Sequence, residues 1–274
     1  MTLLYFDWNI DPVIFHIGDF GIRYYSLMFV VGLSAAYYLL KKHGVFPTRS
    51  LDQLTIYVVI GTLAGARLGH CLFYEPVYYL RHPFEIIFPW KGFPGAKNFE
   101  LTGYQGLASH GAAIGILLSV FIFSQKYRLS FLKIMDILGI VIPLTGACIR
   151  IGNFFNSEII GRPSSLPWAV IFEREDTLPR HPSQLYEAVA YLLIFVIMYY
   201  VLYPTIKKRA PGYLFGCFLI FVFTTRFLLE FFKERQEDFE HYMLFDMGQL
   251  LSIPLIAVGI VLCILKRSWG KHPE

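Results

Sequence analysis

Long apolar runs separated by short polar stretches dominate the chain. At the roughly 20 residues needed to cross a bilayer, they predict about seven membrane spans. These are Ile22–Leu40, Leu54–Tyr74, Gly111–Ser124, Ile134–Ile149, Leu185–Tyr203, Tyr213–Phe232 and Met247–Leu265. The third and fourth are short, which predicts a thin or re-entrant region around a cavity. Residues 1–20 contain Pro12 and Gly18 and are expected to lie along the membrane surface rather than span it. The apolar run Trp168-Ala-Val-Ile-Phe172 reads as a strand in a small periplasmic cap. The expected architecture is an all-α polytopic bundle, a single integral membrane domain over residues 1–274.

Charge orients that bundle. Lys41, Lys42 and Arg49 follow the first span, and Lys126, Arg128 and Lys133 the third. Lys207, Lys208 and Arg209 follow the fifth, and Lys266, Arg267 and Lys271 the last. Under the positive-inside rule these segments are cytoplasmic, placing the N-terminus outside and the C-terminus inside. The outer loops are then about 75–110, 162–184 and 233–246. The predicted setting is the inner membrane of a bacterium. Of the 274 residues, 55% are hydrophobic and only 16% charged, against about 25% charged in a soluble domain. The net charge of +4 is explained by these loops, so nucleic acid is not an expected partner. Cys71, Cys148, Cys217 and Cys263 lie in or beside apolar runs without metal-binding spacing, and read as reduced packing residues. The N-terminus carries no basic stretch or small-residue cleavage site of a signal peptide.

One polar stretch interrupts the pattern where a span should be ending. It is Arg150-Ile-Gly152-Asn153-Phe-Phe-Asn156-Ser157-Glu158-Ile-Ile-Gly161-Arg162. An arginine at the centre of a membrane helix costs about 2.5–3.5 kcal/mol on insertion scales, so a partner, a water-filled cavity or an anion is expected beside it. Helical spacing puts Arg150, Asn153 and Ser157 on one face. The plain structural alternative is an arginine snorkelling to the headgroups with an Asn cap. Four further clusters fall at the same outer level: Arg23-Tyr24-Tyr25, Ser109-His110-Gly111-Ala112, Arg180-His-Pro-Ser-Gln-Leu-Tyr-Glu187, and Thr225-Arg226 with Glu230. His110 is a general-base candidate, whereas Pro182-Ser183-Gln184 is also an ordinary helix start. Arg226 and Glu230 stand one turn apart and can pair. Arg150 and Arg226 are planar cations suited to a phosphate. Arg67 is a third candidate with an equal claim to a packing role. No nucleotide, zinc or serine-hydrolase motif is present, and neither a metal nor a cofactor is expected. These residues describe a site open to the outer leaflet that handles an anionic lipid or solute; an anion transporter or channel is the rival reading.

In order and spacing, the motifs resemble those of the prolipoprotein diacylglyceryl transferase family over nearly the whole chain. Arg150 to Gly161 is similar to the family signature RxGNFxNxExxG. Tyr25-Ser-Leu-Met28, Gly65-Ala-Arg-Leu-Gly69, Ser109-His-Gly111, Arg180–Glu187, Arg226 with Glu230, and Met247–Pro254 accompany it. The resemblance implies transfer of a diacylglyceryl group from phosphatidylglycerol to the lipobox cysteine of a preprolipoprotein, with release of glycerol phosphate. It implies His110 or Tyr25 as the base, and Arg150 and Arg226 at the phosphate. Asn153 is implied at the headgroup, and Glu158 and Glu230 as holders of the arginines. Gly152 and Gly161 would admit substrate to the backbone, with Asn156 and Gly111 in support. Three departures stand out: Ala112 in place of a second glycine after the histidine, Ser157 in place of a frequent glycine, and Lys233 in place of a frequent arginine.

Overall fold

The computed structural model describes residues 5–17, 20–88, 90–91, 95, 99–101, 108–235 and 243–264. Lys266, Arg267 and Lys271, and parts of the outer loops, lie outside that range. The order is β1 (Phe6–Trp8), β2 (Val13–Ile17), β3 (Phe20–Arg23), α1 (Tyr24–Lys42), α2 (Thr48–Phe73), α3 (Pro76–Arg81) and α4 (Phe84–Ile87). It continues with β4 (Trp90–Lys91), β5 (Glu100–Leu101), α5 (Ser109–Lys126), α6 (Phe131–Phe155), β6 (Val170–Phe172) and β7 (Pro179–Arg180). The last helices are α7 (Ser183–Val196, prolonged by π and 3-10 turns to Lys208), α8 (Tyr213–Leu229, with a 3-10 turn to Phe232) and α9 (Met247–Ile264). Each of the seven apolar runs forms a helix. Among the described residues, five stretches are long and apolar enough to cross a membrane: α2, α6, α7 with its extension, α8 with its 3-10 turn, and α9. The protein is a predominantly helical, multi-pass membrane protein.

The fourth run departs from expectation. It is not short, because the helix continues from Phe131 through Pro143 and the polar positions to Phe155. Membrane helices tolerate an internal proline where neighbouring groups take up the freed carbonyl. The N-terminal stretch contributes strands, so the fold is not purely helical. β2 and β3 form an antiparallel hairpin, whereas β1 lies parallel to β6, which in turn pairs with β7. The strand expected at 168–172 is therefore present, as the centre of a three-stranded sheet.

The chain divides into two compact units, one of residues up to 42 and from 135 onward, the other of residues 43–134. In the second, α2 and α5 approach along glycines. A Cβ on Gly69 would stand 2.7 Å from the Gly111 Cα, and one on Gly65 2.8 Å from the Gly115 Cα. Small residues let membrane helices touch backbone to backbone. An apolar groove of about 650 Å³ runs along the pair, edged by Ile60, Leu68 and Ile114. Arg67 donates to the carbonyls of Ile86 (3.2 Å) and Glu85 (2.5 Å), and its guanidinium lies 4.9 Å from the Tyr79 ring centroid. Within this unit it ties α4 to α2, the packing alternative.

In the first unit, Asp136 is buried and accepts the backbone N–H groups of Gly212 (2.7 Å) and Phe215 (2.8 Å). It thereby satisfies amides that the start of α8 leaves without helical partners. Phe154, Val170 and Phe172 form a core with Trp8, Ile160 and Leu185. The Trp8 indole donates to the Phe154 carbonyl at 3.1 Å. The end of α6 is thus gripped by the sheet just where its polar residues begin.

Candidate active site

The signature stretch ceases to be helical after Phe155. Asn156 N still bonds to the Gly152 carbonyl, but Ser157 and Ile159 adopt left-handed backbone, with φ of 57° and 58°. For a β-branched residue such as isoleucine this is a strained conformation. Ser157 therefore leaves the Arg150–Asn153 face that continuous helical spacing would give it. The double turn instead swings Glu158 back over the helix end. Its carboxylate accepts from Asn153 (3.2 Å) and Asn156 (3.1 Å), and Asn153 Oδ1 accepts from an Arg150 nitrogen (3.2 Å).

The first turn of α7 holds this loop in place. Ser183 donates to the Ile159 carbonyl (2.8 Å) and Gln184 to the Glu158 carbonyl (2.7 Å). Glu187, one turn on, meets Arg150 Nε at 2.7 Å; its own side chain is 0% exposed. Pro182-Ser183-Gln184 is indeed a helix start, but the serine and glutamine serve the neighbouring loop rather than their own helix. Arg150, 14% exposed, is gripped by Glu187 rather than directly by Glu158.

Lys233, to which the sequence assigned no role, completes the cluster. It is 5% exposed and lies 3.1 Å from both Glu187 and Glu230. Glu230 thus pairs with Lys233 and not with Arg226 one turn earlier. Arg226 makes no side-chain hydrogen bond or ion pair with any described residue, although its charge reaches Glu187 and Tyr191. Glu230 sits in a niche that exists because position 248 is glycine; a Cβ there would fall 2.6 Å from the carboxylate.

Gly152 and Gly161 act between protein segments. A Cβ on Gly152 would stand 3.0 Å from the Tyr25 Cα and 3.3 Å from the Met28 Cβ, so the glycine lets α1 seat Tyr25 beside the signature. Tyr25 lies within the electrostatic reach of Glu158 and Arg150. Gly161 is sandwiched between residues 181 and 232, donating to the His181 carbonyl at 3.0 Å and bridging to Lys233. Arg162 N donates to the Phe232 carbonyl (2.9 Å) and Glu234 N to the Ile160 carbonyl (3.1 Å). Outside the spans, Arg180 fastens this region to Asp176 (2.5 Å), Glu234 (2.6 Å) and the Gly161 carbonyl (3.0 Å). The Arg180 hydrogen bond holds the Asp176 carboxyl below its usual range, while burial lowers the His181 imidazole.

The structure therefore brings together Tyr25, Arg150, Gly152, Asn153, Asn156, Glu158, Gly161, Arg226 and Glu230 within one compact unit. His110 and Gly111 belong to the other. His110 is exposed in the first turn of α5, and Gly111 packs against Gly65 and Gly69. Among the described residues no group of acids, histidines and cysteines has the geometry of a metal site.

The sequence matches the family described as prolipoprotein diacylglyceryl transferase over residues 12–265. This chain belongs to that family. A phosphatidylglycerol–prolipoprotein diacylglyceryl transferase of Bacteroides fragilis is 43% identical over 263 residues, covering 94% of each chain. One of the same name from Tolumonas auensis is 44% identical, over 95% of this chain and 97% of its own. A third, from Chloroherpeton thalassium, is 42% identical over 95% of this chain and 94% of its own. Membership makes the chain a transferase of lipoprotein maturation, and the buried polar cluster gives the transferase family a chemical site in this chain.

Proposed function

We propose that the protein transfers the diacylglyceryl group of phosphatidylglycerol to the lipobox cysteine thiol of a preprolipoprotein, the first step of lipoprotein maturation. The observation that carries this reading is the Arg226 guanidinium, which pairs with no described residue although it stands beside an otherwise fully ion-paired cluster. The arrangement around Arg150, Glu187, Lys233 and Glu230 alternates in sign and is internally neutral. An additional cation left without a carboxylate attracts an anion, and the names of the relatives supply one in the phosphate of phosphatidylglycerol.

The thiolate, not the thiol, is the nucleophile, and a free cysteine with a pKa of about 8.5 is mostly protonated at neutral pH. His110 or Tyr25 takes the thiol proton as sulfur attacks the glyceryl carbon. A C–S bond forms and the C–O bond to phosphate breaks, so glycerol phosphate leaves with the electron pair. Charge grows on the departing phosphate, where Arg226 meets it directly and Arg150 supports it from a fixed position. Asn153 orients the headgroup and Glu158, with Asn156, fixes Asn153. Gly152, Gly161 and Gly111 set the backbone approaches, and Glu230 keeps Lys233 away from the lipid. No cofactor or metal takes part.

The reading extends to topology: seven spans in one integral membrane domain of the bacterial inner membrane, with the N-terminus outside and the C-terminus cytoplasmic. The site then opens to the outer leaflet beneath a small periplasmic cap. The test is turnover by purified protein with phosphatidylglycerol and a lipobox peptide. Release of glycerol phosphate that requires the cysteine, with diacylglyceryl mass gained on the peptide, is expected. Folded protein that releases none, while a Cys→Ser peptide behaves identically, returns the site to anion transport.

A further inference from the structure

The first turn of α7 carries three polar side chains that are almost wholly buried: Ser183, Gln184 and Glu187. A buried carboxylate is costly unless opposite charge surrounds it. Glu187 has such charge on both sides, Arg150 at 2.7 Å and Lys233 at 3.1 Å. Neither contact is aligned as a hydrogen bond, so the carboxylate acts as a charge wedged between two cations. Its two effects are separable in the geometry. It fixes Arg150 through Nε, leaving the far end of the guanidinium to Asn153. It also draws Lys233 to the position from which Lys233 binds Glu230, and that pairing keeps Glu230 from Arg226.

We propose that Glu187 is a positioning residue for the transfer reaction, with Lys233 as its working partner. Glu187 holds Arg150 in register with Asn153, and through Lys233 it occupies Glu230 so that Arg226 faces the lipid phosphate. The proposal rests on the phosphate reading above. It gives Lys233 a defined task in place of the arginine common at that position: a compact ammonium reaches two carboxylates at once, with three donors to share.

The test measures kcat and KM for phosphatidylglycerol, per folded enzyme, together with the melting temperature in detergent. Glu187→Asp keeps the charge and shortens the reach by one methylene. It is expected to melt near wild type yet lose about 10- to 100-fold in kcat, the scale of an ångström-sized misplacement, with KM moving much less. Glu187→Gln with Lys233→Met removes one charge of each sign. That double variant is expected to be more stable than Glu187→Gln alone while its kcat stays low. Wild-type kcat per folded enzyme in Glu187→Asp overturns the proposal. So does recovery of kcat in the double variant, since Glu187 would then only balance charge. If Glu187→Asp does not fold, the double variant alone decides. A wild-type enzyme with no cysteine-dependent release fails the transferase reading itself, an outcome distinct from either of these.

Discussion

Replacing Gly161 by alanine tests the claim that this glycine serves close packing among three chain segments. The added Cβ would stand 2.5 Å from the His181 Cβ and 2.8 Å from the Phe232 carbonyl oxygen, with the His181 carbonyl nearer still. Two of the three atoms are backbone, so no side-chain rotation relieves the contact. Residues 160–162 must move about 1 Å relative to 181 or 232 to reach an ordinary carbon contact near 3.5–4 Å. That movement breaks or stretches the Gly161 N–H bond to the His181 carbonyl and the Arg162 N–H bond to the Phe232 carbonyl. Overpacking costs about 1–3 kcal/mol and a lost hydrogen bond about 1 kcal/mol, a total of about 2–4 kcal/mol. The same shift carries Lys233 away from Glu187, so kcat is expected to fall about 100-fold. Melting temperature and turnover of purified Gly161→Ala measure the two effects separately. Wild-type melting with wild-type turnover would refute the packing argument. A normal melt with lost turnover would instead return Gly161 to the substrate.

Arg226→Gln should cost more turnover than stability, because it breaks no ion pair in the described structure, whereas Arg150→Gln should cost both, by leaving Glu187 short of a cation; paired melting and kinetic measurements check the contrast. His110→Gln and Tyr25→Phe are expected to flatten different parts of the pH–rate profile, and a variant with near wild-type turnover across pH is not the base. Asp176, held below its ordinary value of about 3.9 by Arg180, stabilises the loop fully above about pH 4, since the unfolded chain takes up its proton first as pH falls. That stabilisation fades as pH drops through the lower folded value, and Asp176→Asn should remove this part of the acid sensitivity in a melting series. Arg67→Ala should leave the Glu85 and Ile86 carbonyls without their donor and expose the 75–88 segment to proteolysis sooner than the rest of the chain, which limited digestion reads directly.

Much of this protein follows from the order of residue types alone. Apolar length decides that a run forms a membrane helix, because backbone polar groups have no other partner in lipid, and all seven runs are helices. Motif order pointed to the family, and glycines at fixed spacing marked where segments touch. The ends of elements were less legible. The polar residues from Arg150 onward suggested a short fourth span, yet a helix needs only its own hydrogen bonds to continue, and α6 reaches Phe155.

What only the tertiary structure decided is which charges meet. Spacing allowed Arg226 to pair with Glu230, but Lys233 lies three positions beyond Glu230 and takes it instead, because the chain there turns into a bridge with Gly161. Asn153 and Glu158 are five positions apart, about 140° around a continuous helix. They meet only because Ser157 and Ile159 turn the backbone left-handed. Glu187 stood in plain view within a helix start, and nothing local marked it as the partner of Arg150, which lies on a different helix. A periodic pattern reports how each segment meets its solvent, and that is a local property. A buried ion pair between distant segments depends on how those segments pack. In this chain packing alone chose Glu187 for Arg150 and left Arg226 without a carboxylate among the described residues.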